Sequence, residues 1–342
     1  MSAPASIAIA LIVAVLAAML SAGLILTSWS WLKTYAIARP NARSSHREPT
    51  PQGGGAAVIL STFVFALGAA VVNSSLLSTS DIHQLLALTA AAALLAVVGA
   101  IDDIRALAPL PRLLLQGIAA AIVIAVLPAD LRVASLLPWW LERGLILIAG
   151  VWFINLTNFM DGIDLMTVAE VVPVTGGIVV FGLLGVVPPL PALIALLLGG
   201  AMLGFAPFNR PVAKLFLGDV GSLPIGLVLA WLLLQLAARG EIAAALILPL
   251  YYVADATVTL LRRVVAREPV WQAHRSHFYQ RAVDRGFSVS EIVAHVFVLN
   301  VALVALALLA AVSAGRLIAL VSLLSAAALV GVLLVRFARG KT

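Results

Sequence analysis

Cysteine is absent from this 342-residue chain, so neither a disulfide nor a thiolate metal site can form. Charge is scarce as well. Only 11% of the residues are Asp, Glu, Lys or Arg, where a soluble chain carries about 25%. No polar stretch is long enough for a separate soluble domain, and no internal repeat stands out. The first apolar run, residues 6–26, is too long for a cleavable leader and lacks a basic start. What the chain has in abundance is apolar: 63% of its residues are hydrophobic and its mean hydropathy is +1.13. This reads as one all-α polytopic membrane helix bundle. The net charge of +6 then bears on orientation, not on nucleic-acid binding.

A spanning helix needs about 20 apolar residues. Eleven candidates fall at 6–32, 54–73, 84–101, 112–127, 144–158, 166–187, 191–205, 223–237, 242–261, 292–311 and 317–335. Three are short, and fusing the sixth and seventh lowers the count, so the expectation is 10–11 transmembrane helices. Of the 21 Lys and Arg residues, only Arg132, Arg143, Arg239 and Arg316 fall in one set of connections; the other 17 share the opposite set. The positive-inside rule puts the richer set in the cytoplasm, the N-terminus outside and the C-terminus inside. Every polar cluster lies in that cytoplasmic set, in segments 33–54, 102–112, 155–170, 206–222 and 262–290.

The segment around which the chain is arranged is VVGAIDDIRALAPLPRLLLQ, residues 97–116. Two adjacent aspartates, Asp102 and Asp103, close an apolar run. A charge of this kind costs roughly 2.5–3.5 kcal/mol at the bilayer centre, less near the interface, and marks function by default. Arg105 can neutralise one carboxylate; the repulsion between two calls for a cation. The first loop, RPNARSSHREPTPQGGG, offers Arg43, His46 and Arg47 to phosphate or to anionic lipid. In INLTNFMDGID, Asn155, Asn158, Asp161 and Asp164 recur every three residues, a polar stripe if the helix continues. Carboxylates with a carboxamide suit a hard cation such as Mg²⁺. In KLFLGDVGS, Asp219 sits between Gly218 and Gly221 as a ligand-facing acid or a helix N-cap. The longest loop contains HRSHFYQRAVDRG, where His274, His277 and Arg281 share a face if the segment is helical: a cationic surface for a pyrophosphate, a zinc pair lacking a third ligand, or an interfacial amphipathic helix. Asp255 stands about two turns inside the ninth span.

Together, NARSSHREPTPQGGG, DDIRALAPLPRLLLQ, NLTNFMDGID, FLGDVGS and HRSHFYQR, in this order, resemble the polyprenyl-phosphate N-acetylhexosamine-1-phosphate transferases of glycosyltransferase family 4. The HRSHFYQR form is similar to that of the bacterial surface-polysaccharide initiators, relatives of the phospho-N-acetylmuramoyl-pentapeptide transferases. The resemblance implies one integral-membrane transferase domain over 1–342, multi-pass in the bacterial cytoplasmic (inner) membrane. It implies a UDP-N-acetylhexosamine donor, an undecaprenyl phosphate acceptor, release of UMP, and Mg²⁺, with Mn²⁺ as a substitute. It is also compatible with a homodimer. By motif position it implies that Asp219 and Asn158 bind the metal, and that Asp102 and Asp103, with Asp161 and Asp164 from the second acidic motif, are catalytic. Arg43, His46, Arg112, Asn155, His274, His277 and Arg281 are the residues expected to bind substrate. Arg112 replaces a lysine common in the family, and Leu165–Glu170 reads LMTVAE where many members carry glycine and small residues.

The chemistry expected is attack of a lipid monophosphate on the β-phosphorus of the donor. The acceptor's second pKa is about 6, so a strong general base is unnecessary. Direct displacement is therefore preferred to a covalent aspartyl-phosphate. The rival from another class is a transporter or lipid flippase, which needs charges at mid-membrane. Asp255 alone supports it.

Overall fold

The computed structural model describes residues 3–38, 49–72, 77–269, 274–313 and 315–341. Nine described helices are long and apolar enough to cross a membrane: α1 (Ala3–Tyr35), α2 (Gly54–Val72), α3 (Thr79–Ile104), α5 (Trp139–Met160), α6 (Met166–Leu183), α7 (Pro189–Phe205), α8 (Asp219–Ala237), α12 (Val289–Val312) and α13 (Arg316–Arg339). A tenth apolar helix, α4 (Pro109–Ala125), is shorter. The expected all-α membrane bundle is what the chain forms.

The ninth expected span is not one helix. It is α9 (Ile242–Ile247) and α10 (Leu250–Val265), separated at Leu248 and Pro249. Proline has no N–H to donate and crowds the preceding turn, which places the break. The last helix in chain order before α12 is the short α11 (Phe278–Asp284).

Local signals set the other ends. Ser78 and Asp81 make a reciprocal capping box that starts α3, with the Asp81 amide donating to Ser78 Oγ at 3.1 Å and the Ser78 amide to Asp81 Oδ2 at 3.0 Å. Prolines occupy the first turns of α4 and α7, where a missing N–H costs nothing.

At the centre stands α8, buried over most of its length and packed against α2, α3, α5 and α9. By contrast α1 and α13 turn large hydrophobic side chains outward, as lipid-facing helices do. The alternation of helix direction brings the polar segments to one end of the bundle. That end also holds a two-stranded ladder, β1 (Ile37–Ala38) with β2 (Thr50–Pro51), antiparallel with Ile37 opposite Pro51. The connections 125–139, 183–189 and 237–242 lie at the opposite end.

Candidate active site

The aspartate pair divides its labour. At the end of α3, Asp103 turns its carboxylate to the start of α8 and accepts from the backbone amides of Asp219 at 2.9 Å and Val220 at 3.1 Å. These are among the four amides a helix start leaves without an intrahelical partner. Gly218 precedes them with φ of +76°, and a Cβ there would stand 2.6 Å from Asp103 Oδ2; both facts require glycine. Asp102 instead accepts from the Leu107 amide at 2.6 Å and from Arg112 Nη1 at 2.9 Å. The same Arg112 nitrogen lies 3.9 Å from Asp219 Oδ2. Arg112 thus stands between the carboxylates of Asp102 and Asp219. Two carboxylates that share one guanidinium repel each other less than they would alone.

The second acidic motif does not form the continuous stripe expected for it. Helix α5 ends at Met160, Asp161 is its C-cap, and Leu165 has a φ of +60°. The four polar residues therefore diverge. Asn155 is buried, and its amide donates to Gln116 Oε1 at 2.6 Å and to the Val151 carbonyl at 2.8 Å; this ties α5 to α4. Asn158 reaches α8 and donates to Asp219 Oδ1 at 2.7 Å and to Ser222 Oγ at 2.9 Å. Asp161 accepts from Thr167 Oγ1. Burial pushes its carboxyl up to about 7, with the charges of Asp103 and Asp164 pushing in the same direction. Asp164 is buried and accepts from the Ala213 amide at 3.0 Å. It holds the 206–218 segment in place, as Asn209 does by accepting from the Leu165 amide at 2.7 Å and donating to the Leu215 carbonyl at 2.9 Å.

The HRSH segment is not a helical face either. His274, Arg275 and Ser276 lie outside any helix, His277 is the N-cap, and only Arg281 lies within α11. The organiser is Asp255, fully buried in α10. It accepts from the amides of Phe278 at 2.9 Å and Tyr279 at 3.1 Å, and its Oδ1 is 3.2 Å from His277 Nδ1. The mid-span acid that suggested a transporter thus caps a helix at the site. The His274 and His277 rings are 5.0 Å apart. Among the described residues no group of three or more His, Asp or Glu side chains is arranged as a metal cage. Tyr279 Oη donates to the Phe159 carbonyl at 2.9 Å and fills the space beside Gly162, where any Cβ would collide with it. Arg281 is half-buried. Burial, with Arg285 and Arg262 nearby, draws its pKa down.

The first polar loop is stitched to the site by its last residues. Phe216 donates to the Pro51 carbonyl at 2.8 Å, Gly54 to the Phe216 carbonyl at 3.0 Å and Gly55 to the Leu217 carbonyl at 2.9 Å. Gln52 Nε2 donates to the Asp103 carbonyl at 2.8 Å. Arg43 and His46 lie outside the described residues. Sequence reasoning missed Gln52, Thr167, Ser222 and Tyr279. The first three are ordinary polar residues, and their only signal is proximity to a glycine or an acid within the same motif.

The profile of glycosyl transferase family 4 matches residues 85–237, a stretch that includes Asp102, Asp103, Asn158, Asp161 and Asp219. The chain is 26% identical over 267 residues to a probable undecaprenyl-phosphate N-acetylglucosaminyl 1-phosphate transferase of Bacillus subtilis, covering 75% of this chain and 72% of that protein. It is 29% identical over 294 residues to the decaprenyl-phosphate N-acetylglucosaminephosphotransferase of Mycobacterium tuberculosis, covering 75% and 71%. To a phospho-N-acetylmuramoyl-pentapeptide-transferase of a Nostoc species it is 32% identical over 226 residues, covering 58% and 57%.

Proposed function

We propose a specific reaction for this chain, which belongs to glycosyl transferase family 4 and so transfers an N-acetylhexosamine 1-phosphate to a polyprenyl phosphate. The donor is a UDP-N-acetylhexosamine and the acceptor is undecaprenyl phosphate. UMP leaves, and the product starts a lipid-linked surface polysaccharide such as O-antigen. The site faces the cytoplasm of a bacterial inner membrane, where nucleotide sugars are made. The observation that carries this reading is the meeting of Asp102, Asp219 and Arg112 at one bundle end, with Asp103 fixing the helix that bears Asp219.

Both substrates are anions, so charge is the obstacle to their approach. A phosphate oxygen of the acceptor attacks the β-phosphorus of the donor, and the bond from that phosphorus to the bridging oxygen breaks toward UMP. The acceptor monoester is largely ionised at neutral pH, its second pKa being about 6, so no residue has to remove its proton completely. Arg112, between Asp102 and Asp219, is placed to meet a phosphate oxygen. His274 and Arg281, before and within the α11 start that Asp255 anchors, supply cationic groups for the donor pyrophosphate. Asp103 is a positioning residue, since its two carboxylate oxygens are both bound to amides.

Mg²⁺ fits this donor set. It takes one or two carboxylates and completes its shell with waters and substrate phosphates, so the lack of a three-acid cage among the described residues is no objection. Asp219 and Asn158 would hold it. When bound, it supplies charge neutralisation on the pyrophosphate and on departing UMP.

The test is UMP release by purified protein, with a panel of UDP-HexNAc donors, undecaprenyl or decaprenyl phosphate, and Mg²⁺ added or chelated. Turnover of at least one donor that needs both lipid and metal is expected. Inactivity with every donor refutes the assignment.

A further inference from the structure

We propose that the end of the bundle opposite the active site holds a second ligand site, built for a phosphoethanolamine headgroup. A cavity of about 290 Å³ opens there, between the start of α3 and the end of α8, at the lower end of the size range of small-molecule pockets. Its floor is polar although it lies within the helices. Trp231 is 2% exposed, and its indole N–H is buried with no hydrogen-bond partner. Beside it Gln235 Nε2 donates to Gln84 Oε1 at 2.7 Å, both residues being buried.

An interhelical amide pair alone is ordinary polar glue between membrane helices. It does not explain the adjacent indole N–H, because a buried donor without an acceptor costs about 1–3 kcal/mol. An acceptor brought by a ligand does. The rim supplies both signs of charge, Asp81 and Asp130 on one hand and Arg239 on the other. Asp81 Oδ2 serves the cap of α3, which leaves its other oxygen. A simple anion would meet two carboxylates, and a simple cation would meet the guanidinium. A zwitterion satisfies both: its phosphodiester faces Arg239 and the indole N–H, and its primary ammonium faces Asp81 and Asp130. Helix ends at a membrane surface are where such headgroups lie.

The experiment is native mass spectrometry of the full-length protein, delipidated in detergent and titrated with phosphatidylethanolamine, phosphatidylglycerol or soluble glycerophosphoethanolamine. Wild type should retain phosphatidylethanolamine roughly tenfold more strongly than phosphatidylglycerol. Arg239→Ala should lower that retention with little change in melting temperature, and Trp231→Phe should lower it as well. Arg239 is exposed in a connection, so its variant tests the site without disturbing the core. Competition by glycerophosphoethanolamine identifies the headgroup alone as the ligand; selectivity without such competition identifies the whole lipid. Equal retention of the two lipids, or unchanged retention in both variants, overturns the proposal.

Discussion

Asp103 closes a distance of 116 positions along the chain: its carboxylate stands 2.9 Å from the amide nitrogen of Asp219 and fixes where that residue begins its helix. Removing this clamp should therefore act on both stability and turnover. Asp103→Ala is expected to lower stability by about 1–3 kcal/mol, the range for losing a cap and exposing its amides, and to depress activity as Asp219 shifts. Asp102→Asn, which keeps size and some bonding to Leu107 and Arg112, should cut kcat with a much smaller change in melting temperature. Equal melting temperatures for Asp103→Ala and wild type would count against the clamp.

Asp219→Asn removes the charge from the carboxylate that Asn158 and Arg112 face. A loss of roughly 10³-fold in kcat is expected, the scale seen when one electrostatic stabiliser of a transition state is deleted, together with a higher Mg²⁺ requirement. Near-normal turnover at ordinary Mg²⁺ would remove its metal role. A burst of UMP without acceptor would replace direct displacement with a covalent route.

The Asp161 carboxyl is raised from 3.8 to about 7 by burial and by neighbouring acids. The folded state therefore holds a proton that the unfolded state gives up. Its contribution favours the fold most below the unfolded value, declines between there and about 7, and is lost above that. Wild-type melting temperature should fall between about pH 5 and about pH 8, and Asp161→Asn should flatten that slope. Identical slopes in the two proteins would show that Asp161 is not the titrating group.

Legibility in the sequence followed range. Hydropathy is a local property, so the membrane bundle and most of its spans could be read directly. The break at Pro249 was readable too, because proline carries its own stereochemistry, yet the apolar run across it masked the signal. Roles that depend on distant partners were not readable. Asp102 and Asp103 are chemically identical neighbours, and only the arrival of α8 distinguishes the clamp from the acid that faces Arg112. Asn155 and Asn158 have the same side chain three residues apart. One is spent on Gln116 and the other faces Asp219. Helical periodicity could not reveal that α5 stops at Met160, because the turn there is set by contacts from the 206–218 segment.

Asp255→Ala should loosen the loop that carries His274 and Arg281. Five groups lose their acceptor: the Phe278 and Tyr279 amides and the His277 ring on the loop side, and the Tyr251 and Thr259 hydroxyls within α10. The expected signature is a rise in KM for the nucleotide sugar well beyond any change in KM for the lipid, partly reversed in Asp255→Asn, which keeps one acceptor oxygen. A parallel rise in both would indicate general unfolding instead.

Gly162 and Tyr279 test each other. Gly162→Ala drives a methyl group into Tyr279 Oη, and a loss of both activity and stability is expected. Tyr279→Phe frees that space at the cost of its bond to the Phe159 carbonyl. The double variant should recover part of what Gly162→Ala loses. If the two losses simply add, the contact is not the reason for the glycine.

The enclosure of α8 has one more consequence. A helix held on every side by its neighbours cannot slide when substrates come and go, so the carboxylate at its first residue is a stationary landmark. Exchange of donor and acceptor has to be accommodated by parts of the chain that touch fewer neighbours than α8 does. The chain thus divides into a fixed register mark and a pliant margin, and the turnover rate should be governed by the second.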